Sequence, residues 1–275
     1  MRFLLASLLL APAAALAQAD DTNVVRIHVV EKRPFTEANR TEITLFGQGQ
    51  VNPKFTVHAG VGAELAYHLR ENLAAQIGVT YYPVAHQSGL SEELARDVNQ
   101  QPIAANALLL QADALAGLEF MPVYGKINVF DGRILRLGFY LNAGVGVAKT
   151  QLQLRPATAA GGRAFGDTGL RPEAGLGIGF RIFASERFTI RLELRHRVYS
   201  AYVSRVNGCN FQDAGAIRSA GSAATGLSRG CSPSSFGGDD DQIKSTAAAA
   251  ENQLREPSAD VINHLAFQGG VSWLF

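Results

Sequence analysis

The residues best suited to chemistry are carboxylates and arginines that recur at every second position of apolar segments. In the segment that starts at Phe188, Arg191, Glu193, Arg195 and Arg197 alternate with apolar residues. The planar guanidinium group can bind a carboxylate through two hydrogen bonds, so arginine suits ion pairs that are removed from water. Such pairs either hold a closed interior together or line a narrow gated pore, and we expect the closed interior.

Histidines and a serine offer a second kind of chemistry, acyl transfer. Lipid acyltransferases and deacylases of membranes need a serine beside a histidine that takes up its proton. No recognised motif joins these residues here, so we expect that the protein is not an enzyme and has no catalytic residue. The candidates are His58, His68, His86, His196, His264 and Ser200.

Two further motifs suggest ligand binding without predicting a site. Asp239, Asp240 and Asp241 offer carboxylate oxygens for Ca²⁺, but they lack the ordered spacing of a calcium loop. The glycine-rich runs at 144–146 and 175–179 are similar to phosphate-binding loops, yet no helix start follows them. We therefore expect no metal site and no cofactor, and we expect these glycines to relieve crowding inside strands.

Eight long segments of alternating polarity position the charged residues. Between Glu173 and Phe183, large apolar residues fall on one face, and Gly, Glu or Arg on the other. A period of two is the pattern of a β-strand with one apolar and one polar face. No later segment approaches 18 consecutive apolar residues, so no membrane-spanning helix is predicted. The predicted strands are 42–50, 55–69, 72–83, 107–123, 134–149, 172–183, 188–203 and 262–275.

The environment of the two faces needs further observations, because a soluble barrel with an apolar interior shows the same period. The polar face is rich in Gly, Arg and Glu, and none of the five lysines lies in the middle of a strand. Aromatic residues gather near strand ends, where membrane girdles lie. The girdle candidates are Tyr67, Tyr81, Tyr82, Phe120, Tyr124, Phe183, Phe188, Tyr199, Tyr202 and Trp273.

The connections alternate in length. The links at 70–72 and 185–187 are tight and 124–132 is modest, whereas 84–106, 150–171 and 204–261 are long, with 51–54 a short exception. Short periplasmic turns and long extracellular loops are typical of outer-membrane barrels. The pattern therefore predicts an all-β fold, an eight-stranded antiparallel up-and-down transmembrane β-barrel.

Strand parity predicts which charged side chains meet. If the apolar set faces lipid, eight strands leave an interior just wide enough for side chains, and we expect a salt-bridged, largely closed lumen. His196 falls on the lipid-facing parity, which is costly in mid-membrane, so it is expected near the rim or beside a bulge. The predicted lumen network is Glu42, Glu64, Asp113, Glu119, Glu173 and Glu193 with Arg136, Arg181, Arg191, Arg195 and Arg197.

The chain ends and the net charge bound the remaining possibilities. Residues 1–17 have the basic start, apolar run and small-residue cleavage pattern of a signal peptide. We expect 18–41 to be a periplasmic extension and 42–275 to be the barrel. A net charge of +1 from 25 basic and 24 acidic residues argues against a nucleic-acid partner.

The long loop at 204–261 is the least ordinary segment. Cys209 and Cys231 enclose 21 residues of it, and an even pair of cysteines in an exported chain predicts a disulfide. Ser245 to Glu256 could form a short capped helix. We expect the loop to contact a partner or the surroundings of the cell.

Several segments resemble known outer-membrane proteins. The last eight residues, with Trp273 and the final Phe275, resemble the C-terminal assembly signal of bacterial outer-membrane barrels. Residues 30–35, 62–69, 119–126 and 191–195 resemble the outer-membrane β-barrel domain family of myxobacteria, which has an OmpA/OmpX-like architecture. The resemblance covers most of 30–275 and implies the bacterial outer membrane, the barrel assembly machinery as a partner and, in some members, a link to surface gliding.

Together these patterns favour a structural or interaction role, as a surface scaffold in a surface or motility assembly. The alternatives are a narrow, porin-like channel for ions or small solutes and, less favoured, a lipid-modifying enzyme. The expected partners are outer-membrane lipids, the barrel assembly machinery and an unknown surface or periplasmic protein.

Overall fold

The computed structural model describes residues 37–275 apart from 52, 54, 98–107, 130–132, 160 and 258. The chain divides into Met1–Pro34 and Phe35–Phe275, and the barrel belongs to the second unit. The predicted signal peptide at 1–17 and most of the predicted extension at 18–41 lie outside the described residues.

The described strands form one closed barrel in sequence order. Each strand pairs antiparallel with the next, and the first closes the ring against the last. This confirms the predicted eight-stranded up-and-down barrel. The strands are β1 (Thr41–Gln50), β2 (Thr56–Arg70), β3 (Leu73–Gln87), β4 (Leu108–Val129), β5 (Arg133–Arg155), β6 (Ala164–Phe183), β7 (Phe188–Ser200) and β8 (Val261–Leu274).

The two ends of the barrel differ. The near end carries the connections after β2, β4 and β6, and the far end carries those after β1, β3, β5 and β7. Among the described residues, three α-helices lie in the far-end connections: α1 (Gly89–Asp97), α2 (Phe211–Ala220) and α3 (Asp240–Arg255). Within the described part of the chain, none of the helices is both long and apolar enough to span a membrane.

One predicted long loop is wrong. Residues 150–171 belong mostly to β5 and β6, and only 156–163 connect them. The register shifts where Thr150 and Gln151 face Gly169 and Asp167, and Gly169 has a φ of 85°. Such a bulge adds a residue and reverses the side-chain parity, so the alternation in the sequence stops although the strand continues.

The outer wall of the barrel is apolar. Val145, Leu176 and Leu45 are 69%, 62% and 59% exposed, and apolar side chains of the other strands surround them. The inner face carries polar and charged side chains that are buried. This polarity is the reverse of a water-soluble barrel, and it is the distribution that a hydrocarbon solvent requires.

Gly177 leaves space for large polar side chains in the crowded interior. A Cβ there would collide with the side chains of Asn142 and Glu193. The glycine on the lumen face of β6 therefore lets large polar groups meet at the barrel axis, as the sequence predicted.

Several expected girdle residues face inward. Tyr82, Tyr199 and Phe183 are buried, whereas Tyr67 and Trp273 are exposed on the outer wall. The prediction was wrong for the three buried residues because closeness to a strand end was considered without parity.

The segment 201–260 folds into a compact cap at the far end. Its two helices are joined by short 3₁₀ turns at Gly221–Ala223 and Pro233–Phe236, and a disulfide links Cys209 to Cys231. The apolar stripe of α3 comprises Ile243, Ala247, Ala250 and Leu254, which are buried at helical spacing.

The start predicted for the second cap helix was wrong. The helix begins at Asp240, with Asp239 as its N-cap. The Asp239 carboxylate accepts a hydrogen bond from the backbone N–H of Gln242 at 2.8 Å, and the Gln242 side chain accepts one from Asp239 N–H at 3.3 Å. Asp239, the first residue of the acidic run, therefore forms a capping box with Gln242.

The cap closes the far mouth through one apolar core. Cap side chains pack with apolar side chains that line the mouth of the barrel. The cluster includes Val206, Ile217, Phe236, Ile243 and Leu254 from the cap, and Leu109, Leu152 and Tyr199 from the strands. Asn207 fixes the cap to the rim, because its N–H donates to Asp167 O at 2.7 Å and its Oδ1 accepts from Asp167 N–H at 2.8 Å.

Candidate functional site in the lumen

Arg181 occupies the near end of the lumen. Its Nη2 lies 3.0 Å from Glu42 and 2.6 Å from Glu119, and its Nη1 lies 3.1 Å from Glu37. Arg181 is fully buried, so these carboxylates replace the water that its charge requires. The sequence analysis missed Glu37, because it precedes the first strand and has no alternation to mark it.

The backbone before β1 is fixed beside this arginine. The N–H groups of Glu37 and Ala38 donate to the carboxylate of Glu71 at 3.2 and 3.3 Å, and Asn39 N–H donates to His68 O at 2.7 Å. Residues 37–40 are therefore held at the near end of the lumen.

Arg191 lies at the centre of the network. Its guanidinium group contacts Glu119 directly and lies 3.4 Å from Glu64 and 3.6 Å from Glu42. The Tyr140 ring lies 4.6 Å from the guanidinium carbon, which is a cation–π geometry. The Tyr140 hydroxyl donates to Glu193 at 2.9 Å.

Arg195 and Arg197 continue the network towards the far end. Arg195 contacts Glu193 and lies 3.2 Å from Glu64. Arg197 Nε lies 3.4 Å from Asp113 and 3.5 Å from Glu173.

Neutral side chains complete the hydrogen bonding of Arg197 and Asp113 towards the far end of the lumen. Arg197 donates to Gln48 Oε1 at 3.0 Å and to Thr80 Oγ1 at 3.4 Å. Tyr82 donates to Asp113 at 2.5 Å.

Carboxylates outnumber guanidinium groups in this network. Among the described residues, the buried acids Glu37, Glu42, Glu64, Asp113, Glu119, Glu173 and Glu193 meet the buried Arg181, Arg191, Arg195 and Arg197. The side chains of Tyr82, Tyr140 and His68 donate hydrogen bonds to carboxylates that have too few guanidinium partners. His68 Nε2 lies 2.8 Å from Glu42.

Arg136 lies outside this network. It faces Lys126 and Phe183 at the near end and makes no ion pair within the described part of the chain. It lies opposite the last residue of β6, at the near-end rim, and parity alone does not report this separation from the buried acids.

Between the described ion pairs, the interior has little free space. Two voids between the ion pairs measure about 10 Å³ each, one bordered by Arg191 and Gln268 and the other by Gln76 and Asn142. A volume of this size holds about one water molecule. With the cap above and Glu37 below, the lumen is a filled core in this conformation.

The described histidines are engaged in contacts other than with Ser200. His58 accepts from Leu110 N–H through Nε2 at 3.0 Å, so its Nδ1 carries the proton that is donated to Gln50 at 2.8 Å. His86 contacts the backbone O of Gln87 at 2.7 Å. Ser200 Oγ accepts from Tyr202 N–H at 3.3 Å, and no described histidine hydrogen-bonds to it.

His264 and His196 lie on opposite faces of the barrel wall. The His264 ring is buried and lies edge-on to His58, with centroids 5.1 Å apart. His196 faces outward and makes a hydrogen bond with Asn263 Oδ1 at 3.1 Å. The register of β7 shows no bulge beside His196, so that alternative is excluded.

The charges of the cap are satisfied locally. Hydrogen bonds from Lys244 and from Ser222 lower the pKa of Asp240 to about 2; the Lys244 ammonium lies 2.6 Å from it. Burial raises the pKa of Asp213, but the N–H groups of Ser228 and Asn210 outweigh this and leave it lowered. In the described part of the chain, no group of acids, histidines or cysteines is arranged to hold a metal ion.

Comparisons with known proteins give likenesses of overall shape. No family model matches the chain, and no curated protein matches it. The N-terminal barrel domain of Pseudomonas aeruginosa OprF is 11% identical with a TM-score of 0.40, covering 86% of this chain and 98% of that one. Neisserial surface protein A is 8% identical with a TM-score of 0.37, covering 85% and 95%.

OprG from Pseudomonas aeruginosa is 11% identical with a TM-score of 0.43, covering 88% of this chain and 98% of that one. At such identities and scores these likenesses identify neither a function nor a family. The barrel architecture is established by the strand pairing of this chain itself.

Proposed function

We propose that the protein is an integral barrel of the bacterial outer membrane with a structural or interaction role. The observation that carries the proposal is the reversed polarity of the barrel. Exposed side chains such as Val145 and Leu176 form the outer wall, while Arg181 and Arg197 are fully buried inside. Only a hydrocarbon solvent makes this arrangement favourable.

The proposed orientation follows from the two ends. Short turns of such barrels face the periplasm and long connections face the outside, so the cap lies at the cell surface. The proposed partners at this stage are outer-membrane lipids and the barrel assembly machinery. Trp273 and Phe275 are 47% and 65% exposed near the near-end rim, which supports their role as the assembly signal.

The cap supports a scaffold role more than a channel or an enzyme. It is a disulfide-bonded helical unit that shares one apolar core with the mouth of the barrel, and it rests on a lumen that is filled with side chains. We infer that the barrel anchors and orients the cap for a surface or motility assembly. For the lumen to conduct, both the cap and the side chains around Arg197 would have to move.

Electrophoresis of outer-membrane fractions with and without boiling tests the barrel itself. A folded barrel resists detergent and changes mobility on heating, whereas recovery in the soluble periplasmic fraction without a shift would contradict the proposal. An epitope inserted between Thr225 and Gly226, both exposed, tests the orientation and should bind antibody on intact cells. The matched insertion between Ala184 and Ser185 should bind only after permeabilisation, and the reverse pattern would overturn the orientation.

A further inference from the structure

An apolar groove crosses the outer wall of the barrel. It has a volume of about 650 Å³ and runs from Leu73 and Phe120 to His196 and Leu265. Its sides are two rows of outward residues that are linked by strand register. One row contains Leu73, Phe120, Leu141, Ile178 and Leu194, and the other contains Leu118, Ala143, Leu176, His196 and Leu265.

The groove has the dimensions of a lipid chain. It spans β3 to β8, so five strand spacings make it about 24 Å long. The hydrocarbon of one membrane leaflet is about 15 Å thick. An extended acyl chain therefore fits within the groove, and the volume lies in the range of about 300–1,000 Å³ that is typical of small-molecule sites.

One end of the groove is polar. His196 Nε2 donates to Asn263 Oδ1 at 3.1 Å, so the ring Nδ1 can accept a hydrogen bond and Asn263 Nδ2 can donate one. Both side chains lie on the outer face of the barrel, where an ionisable group is costly unless it has a polar partner.

The polar end lies at the depth of lipid head groups. His196 is eight residues along β7 from Phe188, which lies at the near-end rim beside Trp273. With the usual strand tilt this separation is about 20 Å along the barrel axis. The apolar band of such barrels is about 25 Å tall, so His196 approaches its far edge.

We propose that this groove is a binding site for one fatty acid whose carboxyl group hydrogen-bonds to His196 and Asn263. A protonated carboxyl group offers an oxygen to Asn263 Nδ2 and an O–H to His196 Nδ1, whereas an acyl ester has no proton to donate. The site rests on the proposed membrane location, and it assigns a role to the outward histidine that the closed lumen does not use.

The test is photo-crosslinking of a diazirine derivative of palmitic acid to the full chain in phosphatidylethanolamine vesicles. The heat-dependent mobility shift is checked first, so a misfolded or soluble protein is recognised separately. We expect crosslinks concentrated on peptides that carry Leu141, Leu176 and Ile178. Uniform labelling of the outer wall of a folded barrel would overturn the site while leaving the membrane location intact.

Two variants probe the two halves of the site. His196→Leu should reduce crosslinking about fivefold, because it removes a hydrogen bond to the head. Ala143→Phe should abolish it by filling the groove, while Ala63→Phe on another part of the outer wall should leave it unchanged. Equal labelling of all three variants and the wild type would overturn the proposal.

Competition tests the carboxyl head. Unlabelled palmitic acid should displace the probe, whereas methyl palmitate, which has no O–H to donate to His196, should displace it much less. Equal displacement by both compounds, or by neither, would overturn the site.

Discussion

Single residues in the lumen depend on one another because each is charged and removed from water. Arg191 illustrates this, since carboxylate oxygens of Glu119, Glu64 and Glu42 all lie within 3.6 Å of its guanidinium nitrogens. Burying such a group is costly, and only the full set of partners offsets the cost. The same residue types nearer the surface, such as Arg163 and Glu92 at 3.4 Å, are 35% and 15% exposed. They keep part of their hydration, and Glu92 also accepts from Gln153, so the loss of Arg163 costs less.

Replacing Arg191 with methionine is therefore expected to destabilise the barrel by about 3–5 kcal/mol, because three carboxylates lose a buried partner. Urea unfolding of the protein in lipid vesicles, followed by the heat-dependent mobility shift, measures the change. The control Arg163→Met should change stability by less than about 1 kcal/mol. Similar small effects for both variants would contradict the account of the lumen.

The contact of Asp240 with Lys244 and Ser222 at the start of α3 predicts an acid-sensitive contact in the cap. Hydrogen bonds from Lys244 and Ser222 hold the pKa of Asp240 at about 2 rather than the ordinary 3.8. The contact is therefore fully formed above about pH 4 and is lost as the pH falls through about 2, since protonation removes the charge. Carboxyl carbon NMR should give a midpoint near pH 2 that moves upward in Lys244→Gln and stays in place in Arg229→Gln.

At the scale of elements, the cap is held by three kinds of contact. Its helices bury an apolar stripe, Asn207 hydrogen-bonds to the rim, and the disulfide closes the segment that contains α2. The disulfide restricts the unfolded cap, so it acts on stability without contributing to the contacts with the barrel.

Replacing both Cys209 and Cys231 with serine is expected to destabilise the cap by about 3 kcal/mol in the chain-entropy model. Cleavage within the cap by a soluble protease should then become about a hundredfold faster, since cleavage follows the population of the open form. The barrel should keep its mobility shift on heating. Ser232→Ala is the control, and unchanged proteolysis of the double variant would show that the bridge does not hold the cap closed.

At the scale of the whole barrel, the described residues form a filled core. Residues 37–40 are attached to its near end and the cap closes its far end, with ion pairs between them. Because Arg197, Asp113 and Glu173 lie below the cap, removing the cap alone leaves the lumen blocked.

Planar-bilayer recordings are expected to show no conductance above the bare membrane for the wild type. A variant that lacks residues 207–255 is also expected to be silent. Conductance of the wild type would contradict a closed lumen, and conductance of the deletion variant alone would make the cap a gate. A porin measured in the same membranes serves as the positive control.

The sequence by itself determined the strand pattern and the character of the two faces. Successive side chains of a strand point to opposite faces. Alternation of apolar and polar residues therefore reports which residues share a face wherever one face is apolar. This is sufficient to predict the barrel and to place Glu64, Glu119 and Arg195 on the same face. It fails at Gly169, where a bulge reverses parity, and it does not report that Arg136 lies at the near-end rim, away from the ion pairs.

Only the tertiary structure decided how these residues meet. Parity does not report the pairing of Arg197 with Asp113 and Glu173, because the three come from different strands and their distances depend on register around the ring. Glu37 has no pattern of its own, and its place follows from the chain path across the near end. The cap, likewise, depends on long-range apolar packing against the mouth of the barrel, which no local pattern of the segment contains.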